Sequence, residues 1–349
     1  FFNSTSLNYD FNDDFSVTYR LGLDTYSELQ EILYNKGGAT ANLATKNGYY
    51  RTININNTIW NQDLIVNWKK EFSDKFSMSA LLGGNTRFDS YMQTGVASQG
   101  QLAFGLFRHS NFSTSSSNDA YSGGSMNNGV DERRYGVYSN ITFDYSDYLF
   151  LNLSARNDWT STVEAENRSI LYPGGSVSFI PTTAFDWKSS NLNDLKLRFG
   201  YGTSAGYPSP YTTRNVLSQA ARAFDINGAV TTTHSVSNTL GNPNLKPELH
   251  GEAEFGVEGV MFNNKLRFDI SLFEKTTRDL ITQSPIDPAT GFTSTAINIG
   301  KIQTRGAEFQ ATVTPVSTAS GFEWSSTVNW STYRTEVVEL GGGLEEVVI

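Results

Sequence analysis

Hydrophobic and polar residues alternate with a period of two in many segments along this chain. In Leu149–Arg156, leucine or alanine occupies every second position, and Asn152, Ser154 and Arg156 lie between them. Successive side chains of a β-strand point to opposite faces, so this pattern predicts strands with one apolar and one polar face. The same alternation recurs in Phe15–Leu23, Tyr135–Tyr145, Leu266–Leu272 and Phe322–Trp330.

The alternating segments are longer than the strands of most soluble proteins, which average about 5–6 residues. A strand that crosses a membrane needs about 9–11 residues at its usual tilt. The predicted strands with the clearest lengths are Arg134–Tyr145, Tyr148–Asp158, Gly251–Phe262, Lys265–Lys275 and Gly306–Pro315. Their lengths favour a membrane β-barrel, in which the apolar face meets lipid and the polar face meets water. By this pattern we predict about twelve strands.

Short and long connections roughly alternate between the predicted strands. The short turns are Asp10–Asp14, Phe72–Lys75, Ser146–Asp147 and Asn263–Asn264. The long loops are Thr25–Gly48, Tyr91–Glu132, Thr160–Pro173, Thr203–His250 and Thr276–Lys301. Outer-membrane barrels have short periplasmic turns and long extracellular loops. The alternation therefore predicts an all-β, transmembrane antiparallel β-barrel and disfavours a soluble sandwich.

Three segments need a separate interpretation. Tyr49–Glu71 is too long for one ordinary strand, and its apolar positions shift between Ile59 and Leu64, which predicts a bulge. Phe185–Asp194 resembles a short helical turn before the next strand. Asn111–Asn128 is rich in Ser, Asn and Gly, and we interpret it as the mobile tip of an exposed loop.

Composition narrows the possible functions of the 349-residue chain. Only 17% of the residues are charged and 13% are aromatic, whereas soluble domains are about 25% charged. The sequence has no cysteine, which excludes disulfides and thiolate metal sites. The net charge is -9, so nucleic acid is not an expected partner, because binding to phosphates needs a basic face. No apolar run approaches the roughly 18 residues of a transmembrane helix.

Two glycine-containing motifs imitate catalytic or cofactor-binding sequences. Gly202–Gly206 matches the G-x-S-x-G nucleophile elbow, and Gly200–Ala205 matches the dinucleotide fingerprint G-x-G-x-x-A. Both motifs require a helix immediately afterwards. Pro208 and Pro210 exclude that helix. We therefore interpret this segment as the end of a strand that continues into a loop.

The ionisable residues also give no catalytic or metal-site prediction. His109, His234 and His250 lack the spacing of zinc ligands, and we interpret them as loop and strand-end histidines. The carboxylate pair Glu164 and Glu166 is of the kind that glycoside hydrolases use, but it lies in a polar loop and is expected to be solvated. Two acidic groups flank tight turns, where aspartate forms local hydrogen bonds: Asp10, Asp13 and Asp14, and Asp144 and Asp147.

Large aromatic side chains lie near the predicted strand ends. Barrels place such residues in girdles at both membrane interfaces. The predicted girdle residues are Trp68, Tyr145, Tyr148, Trp159, Tyr172, Trp324 and Trp330.

Several sequence blocks resemble SusC/RagA-type TonB-linked outer-membrane proteins. Arg133–Thr162 resembles the family's barrel hairpin, and Arg156, Asp158, Ser161 and Thr162 match its R-x-D-x-S-S strand end. The remaining blocks, in family order, are Leu171–Pro173, Asn191–Gly206, Gly241–Glu248 and Asn298–Glu308, with Arg305 in place of the usual Asn.

This resemblance implies that residues 1–349 are part of one TonB-dependent transporter β-barrel domain. The family barrel has about 22 strands, as in the larger transporters. The plug domain, the TonB box and the C-terminal strands are therefore expected to lie outside this chain. Both ends of the sequence are expected to be cuts within a longer protein.

The same resemblance implies a nutrient importer in the bacterial outer membrane that takes up oligosaccharides or peptides. A SusD-like surface lipoprotein is the expected lid, the loop Thr203–His250 its expected docking surface, and TonB the expected energy-coupling partner. No catalytic residue, metal or cofactor is expected, and the residues that contact substrate are not identified by the sequence. Two alternatives stay open: a soluble or surface-anchored β-rich adhesin or glycan-binding module, and a secreted carbohydrate-active enzyme.

Overall fold

The computed structural model describes residues 1–38, 46–117, 125–187, 189, 191–226 and 229–339, with side chains outside 218–232. Twelve strands of this part of the chain form one continuous antiparallel path, and one further strand is added beside it. The path consists of β1 (Phe2–Asn12), β2 (Phe15–Tyr34), β3 (Tyr49–Ser73), β4 (Phe76–Gln101), β6 (Asn128–Tyr145), β7 (Leu149–Thr160), β8 (Ser169–Phe179), β9 (Leu192–Gly206), β13 (Glu248–Met261), β14 (Leu266–Arg278), β17 (Lys301–Ser317) and β18 (Glu323–Glu339).

Shorter strands lie in the long connections. The strand β5 (Phe112–Ser116) pairs with β4. The strands β10 (Leu217–Ile226) and β11 (Ala229–Val236) form a two-stranded sheet. The strands β12 (Thr239–Leu240), β15 (Ile281–Pro285) and β16 (Ser294–Asn298) form a sheet in the order β12-β16-β15. The described 3-10 helices are His109–Asn111, Ala165–Asn167 and Pro288–Thr290.

The predicted number of main strands is confirmed, but the strands extend further than the sequence pattern indicates. Tyr49–Glu71 lies within the single strand β3, and β2 continues to Tyr34. The loops predicted from Thr25 and from Tyr91 are therefore shorter than expected, because their first residues belong to β2 and β4. The bulge within Tyr49–Glu71 stays a prediction.

The four predicted short turns are confirmed. The turn between β6 and β7 uses Ser146 and Asp147 with φ of 52° and 59°. The turn between β13 and β14 contains Asn263 and Asn264 with φ of 54° and 66°. Asparagine and aspartate tolerate this left-handed backbone better than most residues. The local sequence therefore sets where these strands reverse direction.

The helical turn before β9 begins earlier than predicted. It spans Pro181–Ala184, with the proline in its first turn. Proline suits that position because its missing N–H has no partner in the first turn of a helix. The backbone N–H of Ala184 bonds to Ile180 O at 3.0 Å, and that of Phe185 to Pro181 O at 3.0 Å. The expected helix over Phe185–Asp194 is therefore wrong; residues 188 and 190 lie outside the described part.

The low-complexity segment Asn111–Asn128 is only partly a loop. Its first part forms β5, and the Asn111 amide donates to Ala103 O and Leu106 O, each at 2.8 Å. Residues 118–124 of this segment lie outside the described part.

The strands are distributed over two compact units. Unit 1 is Phe1–Leu7, Tyr19–Leu64 and Asn85–Arg134, and unit 2 is Asn8–Thr18, Ile65–Gly84 and Tyr135–Ile349. The core of unit 1 consists of Tyr49, Ile53, Ile55, Ala97 and Met126. In unit 2 the most deeply buried apolar side chains belong to long connections and their borders: Val163, Leu245, Ala296 and Ile299.

Strand register in unit 2 sorts side chains onto two faces. Paired residues on neighbouring strands point to the same side of a sheet. One row across the sheet is Leu149, Phe179, Leu197, Val257, Ile270, Phe309 and Trp330. The adjacent row on the opposite face is Phe150, Ser178, Arg198, Gly256, Ser271, Glu308 and Ser331.

The apolar face of unit 2 is exposed. Leu153, Leu272 and Trp330 keep 46%, 54% and 55% of their surface accessible. Exposed apolar patches of this extent are rare on soluble monomers and mark interaction or membrane surfaces. Among the described residues, the structure contains no helix with the length and hydrophobicity needed to cross a membrane.

Candidate functional site

The polar face of unit 2 gathers charged side chains around Arg198 of β9. The Arg198 guanidinium donates to Glu258 Oε1 at 2.7 Å and to Asp269 Oδ1 at 2.9 Å. It also reaches Glu254 Oε1 at 3.2 Å and Ser271 Oγ at 2.6 Å. One cation is therefore shared by three carboxylates from β13 and β14.

Two glycine positions allow bulky groups on this face to lie against the sheet. A Cβ on Gly256 would lie 2.4 Å from Arg198 Cζ, and a Cβ on Gly306 would lie 2.4 Å from Phe273 Cζ. Real Cβ atoms do not approach other atoms so closely, so each site needs glycine for close packing. The sheet thus has space for the Arg198 side chain only because Gly256 lacks a side chain.

A polar recess of about 730 Å³ lies at the short-turn end of unit 2, and one of about 550 Å³ lies beside Arg198. The second recess is lined by the apolar Phe150, Val177, Ile180 and Phe199, by Gly200, by the hydroxyl-bearing Ser176 and Ser178, and by the charged Lys196, Arg198 and Glu254. An apolar ring beside a few convergent polar groups is the usual composition of a binding pocket. This recess can hold a polar ligand but offers no arranged nucleophile or general base.

A second cluster centres on Asp158, near the long-loop end of β7. Asp158 is 7% exposed. Arg156 Nε donates to its Oδ1 at 2.8 Å and Tyr207 OH to its Oδ2 at 3.1 Å, and Tyr172 OH also bonds to Oδ2. A Cβ on Gly136 would lie 2.0 Å from Oδ1, so the carboxylate occupies the space over that glycine.

The Asp158 cluster joins a loop residue to the sheet. Tyr207 follows the last residue of β9, and burial together with the Asp158 carboxylate raises the pKa of its phenol. The guanidinium of Arg156 lies 5.2 Å from the ring centre of Tyr138, a cation–π distance. Tyr172, predicted as a girdle residue, instead faces Arg156 in register on the polar face. That prediction is wrong because Leu171, the neighbouring residue, occupies the apolar face.

An ion pair connects two of the long connections of unit 2. Arg214 donates to Glu164 through Nε and Nη2, both at 2.7 Å, and Thr213 Oγ1 donates at 3.0 Å. The hydrogen bonds from Arg214 and Thr213 lower the pKa of Glu164 to about 2. The sequence had indicated that Glu164 is solvated. The structure shows instead that Arg214 and Thr213 hold its carboxylate.

The block Gly241–Glu248 ties the same connection to the next one. Leu245 is completely buried. Asn242 Nδ2 donates to Ala296 O at 2.9 Å, and Asn298 exchanges hydrogen bonds of 2.8 Å with the backbone of Lys246. The 3-stranded sheet β12-β16-β15 adds pairing between these connections. The long connections after β7, β9 and β14 are thus linked to one another.

Unit 1 contains a separate aromatic cluster. The ring of His109 lies 4.6 Å from that of Tyr50, and its nitrogens contact Thr52 Oγ1 at 2.8 Å and Ser98 Oγ at 2.9 Å. Burial lowers the pKa of His109. The hydroxyl of Tyr50 donates to Glu31 at 2.6 Å. These contacts hold the segment that follows β4 against β3.

At the short-turn end, the predicted girdle residues Tyr145 and Tyr148 contact each other and a row of further aromatic rings. Tyr145 packs on Tyr148 at 5.6 Å, Tyr148 on Phe179 at 6.1 Å, Phe179 on Phe185 at 6.1 Å, and Phe185 on Trp187 at 5.5 Å. At the other end of β6 and β7, Tyr135 stacks on Trp159 at 5.0 Å. Tyr145, Tyr148 and Trp159 lie at or beside strand ends as predicted, whereas Trp330 lies in the middle of β18. The role of the aromatic residues at a lipid interface stays a prediction.

The catalytic motifs do not form catalytic sites. Gly202–Gly206 lies inside and at the end of β9, and residues 207–209 follow without a helix. The acidic turn residues form local bonds, such as Asp147 N to Asp144 Oδ1 at 3.1 Å, and Asp14 pairs with Lys70. No group of three or more potential metal ligands occurs within the described residues.

Sequence reasoning missed Arg198 and its carboxylates as a cluster. Arg198 lies in a block that carries the family resemblance, but its partners are separated from it by 56 to 73 positions. Only the register of β9, β13 and β14 brings them together. Asp158 was identified as part of a motif, and its role as a hydrogen-bond centre depends on Tyr207 from a distant loop.

Comparisons with known proteins relate this chain to TonB-dependent receptors. The sequence model of the TonB dependent receptor-like β-barrel family matches residues 2–344. The TonB-dependent receptor P26 of Formosa agariphila is 27% identical over 334 residues, which cover 91% of this chain and 31% of that protein. The chain therefore spans about a third of the length of this relative.

Solved structures show the same fold. A structure of the RagAB peptide transporter superposes with a TM-score of 0.84 at 20% identity, covering 100% of this chain and 38% of that chain. The RagAB peptide importer in its closed-closed state gives a TM-score of 0.83 at 19% identity with the same coverage.

Proposed function

The chain belongs to the TonB dependent receptor-like β-barrel family, and from this premise we propose that it forms part of the barrel wall of a nutrient importer. It is an antiparallel β-barrel chain of the bacterial outer membrane, with long extracellular loops and short periplasmic turns. We further propose that residues 1–349 make up one part of a single barrel domain, and that the plug and remaining strands belong to other parts of the full-length protein.

The observation that carries this proposal is the division of the sheet into two faces. One face exposes leucine, phenylalanine and tryptophan, and the other carries the Arg198 and Asp158 clusters. A transmembrane barrel requires this division, because lipid contacts the outside and water fills the lumen. A soluble adhesin would instead bury the apolar face against a second layer.

The substrate class is oligosaccharide or peptide. The resemblance to SusC/RagA-type proteins supports both, and the RagAB structures are described as a peptide importer. The recess beside Arg198 offers hydroxyl, guanidinium and carboxylate groups next to the ring of Phe150. These groups suit a neutral or zwitterionic polar chain, because Arg198 is already neutralised by its carboxylates.

We also propose a SusD-like lipoprotein as lid and TonB as the energy-coupling partner. The proposed lid surface is the connection predicted as Thr203–His250, which the structure bounds at residues 207–247. The hydrogen bonds of Asn242 and Asn298 support this assignment, because they present neighbouring loops as one linked surface. TonB would act through a segment outside this chain.

The enzyme alternative has no support from Glu164, one of the two carboxylates that the sequence offered for it. Glu164 is held by Arg214 and Thr213, and its lowered pKa makes it a poor general acid. TonB-dependent receptors are transporters. The proposed function is therefore passage of a substrate and not its chemical conversion.

The test is uptake by a bacterium that carries the full-length gene. Deletion of the gene is expected to abolish growth on one class of oligosaccharide or peptide as sole nutrient, and restoration of the gene should rescue it. Deletion of residues 207–247 should abolish lid binding while the barrel still assembles, as judged by heat-modifiable migration on a gel. Unchanged growth on every glycan and peptide tested would contradict the import proposal.

A further inference from the structure

The outward face of β14, β17 and β18 changes from apolar to charged toward the long-loop end. The register from Leu266 to Arg278 is uninterrupted against both neighbouring strands. Alternate residues therefore stay on one side of the sheet, and Ile270 and Leu272 share their face with Glu274 and Arg278. The charged residues follow the apolar band on the same surface.

Two cations lie directly opposite each other at the top of this surface. Arg278 of β14 is paired in register with Lys301 of β17. Like charges placed opposite each other across a strand pair are destabilising unless something neutralises them. Within the described residues, Arg278 forms no ion pair or side-chain hydrogen bond, and Lys301 has only a longer-range electrostatic interaction with Glu274. The pair is therefore poised to accept an anion.

The surrounding charges have different partners. Arg305 donates to Glu274 at 2.8 Å, and Arg334 to Glu336 at 2.7 Å. Arg305 and Arg334 are themselves paired in register. Glu339 of β18 lies opposite Lys301 next to a register shift between Lys301 and Ile302, and it forms no ion pair with Lys301. Four cations thus lie near three carboxylates, and Arg278 and Lys301 are the two cations that have no carboxylate within ion-pair distance.

We infer that Arg278 and Lys301 bind the phosphate of a lipid headgroup in the outer leaflet. This inference rests on the proposed barrel orientation, in which the long loops are extracellular, and it is independent of what the barrel imports. Arginine and lysine at a membrane surface attract anionic lipid, and their long stems let the charged ends reach toward the interface. The adjoining band of Ile270 and Leu272 would contact the acyl chains of the same lipid.

The experiment measures binding of lipid A to the purified full-length protein by native mass spectrometry in detergent. The double variant Arg278→Gln/Lys301→Gln should bind lipid A about tenfold more weakly, because both charges that attract the phosphate are removed. Arg267→Gln is the matched control, because Arg267 lies on the opposite face of β14. It should leave the affinity unchanged.

Two further comparisons keep the result interpretable. Lipid A from which the phosphate has been removed should bind the unaltered protein as weakly as phosphorylated lipid A binds the double variant. The exchange Arg278→Lys/Lys301→Arg should retain binding, which separates charge from a folding defect. Heat-modifiable migration should show that every variant assembles.

The inference is overturned by equal lipid A affinity in the unaltered protein and the double variant. It is also overturned if inorganic phosphate alone competes at the concentration at which lipid A binds, because the site would then recognise a free anion. A loss of lipid binding with intact nutrient uptake would leave the import proposal standing. Intact lipid A binding by a full-length protein that supports no uptake would leave the lipid inference standing and would contradict the import proposal.

Discussion

Arg198 shows how a single side chain holds together strands that are distant in sequence. Its guanidinium contacts Glu254, Glu258 and Asp269, and it is 24% exposed. Removal of the arginine would leave these carboxylates close together without a counter-charge. Such a loss is more damaging than the loss of an exposed pair, because partly desolvated carboxylates repel strongly.

We predict that Arg198→Met lowers the free energy of unfolding by about 1–3 kcal/mol, measured by urea titration of the full-length protein in lipid vesicles. The control is Arg305→Met, whose arginine is 69% exposed and pairs with Glu274. That variant should lose no more than about 1 kcal/mol. Equal losses for both variants would contradict the role assigned to Arg198.

Glycine at 256 is predicted to be required by the space that Arg198 occupies. Gly256→Ala would place a Cβ 2.4 Å from Arg198 Cζ, so the guanidinium must leave its carboxylates. We expect a lower urea midpoint than for the unaltered protein. Gly202→Ala is the matched control, since nothing lies within 4 Å of its Cβ position. A larger effect at Gly202 than at Gly256 would refute the packing argument.

At the scale of elements, the extracellular connections of unit 2 depend on specific cross-links. Glu164 and Arg214 join the connection after β7 to the one after β9, while Asn242 and Asn298 join the latter to the connection after β14. The sheet β12-β16-β15 adds backbone pairing. Loops of this length are otherwise among the most mobile parts of a protein.

The Glu164–Arg214 link should break in acid. The folded pKa of Glu164 is lowered from 4.5 to about 2, so the link contributes above pH 4.5 and is lost as the pH falls through about 2. Hydrogen exchange in residues 161–168 should accelerate over that window. Arg214→Gln should show the fast exchange already at pH 7, whereas Glu166→Gln should behave like the unaltered protein. Slow exchange in Arg214→Gln would rule out the link.

The sequence pattern predicted the strands and short turns because both are encoded locally. Alternation defines β7 and β14, and Asn263 and Asn264 adopt the left-handed backbone that the turn needs. The short strands β10–β12 and β15–β16 were not predicted. The β12–β16 pairing depends on contact between two loops, whereas β10–β11 and β15–β16 pair within one loop each. Strand lengths were underestimated for a physical reason: the strands continue beyond the apolar band into charged rows such as that of Arg305.

The polar clusters were harder to predict than the fold. Tyr172 was assigned to the lipid interface because it lies near a strand end, but its register opposite Arg156 places it on the polar face. Because side chains alternate along a strand, a shift of one position moves a side chain to the other face of the sheet. The partners of Arg198 and Asp158 become visible only when the strands are aligned.

At the scale of the whole molecule, the barrel assignment requires that the apolar face contacts lipid and the polar face contacts water. If the apolar face contacts lipid, its rows of side chains must not contain a charge. We predict that Phe309→Arg, on the row of Ile270 and Trp330, lowers the free energy of unfolding by about 2–4 kcal/mol in lipid vesicles. Gln310→Arg, on the opposite face, should lower it by less than about 1 kcal/mol. Comparable losses at the two positions would be inconsistent with a lipid-facing surface.

The absence of cysteine from the chain permits a direct measurement of these two environments. Single cysteines at Leu151, Leu272 and Phe309, and at Asn152, Ser271 and Glu308, can be spin-labelled in the full-length protein, with its other cysteines replaced, in lipid vesicles. Accessibility to oxygen in the lipid and to a water-soluble nickel complex is then compared. The account predicts oxygen-dominated relaxation for the first three sites and nickel-dominated relaxation for the last three. Low accessibility to both reagents at the first three sites would show that this face is buried against protein, and would contradict the barrel assignment.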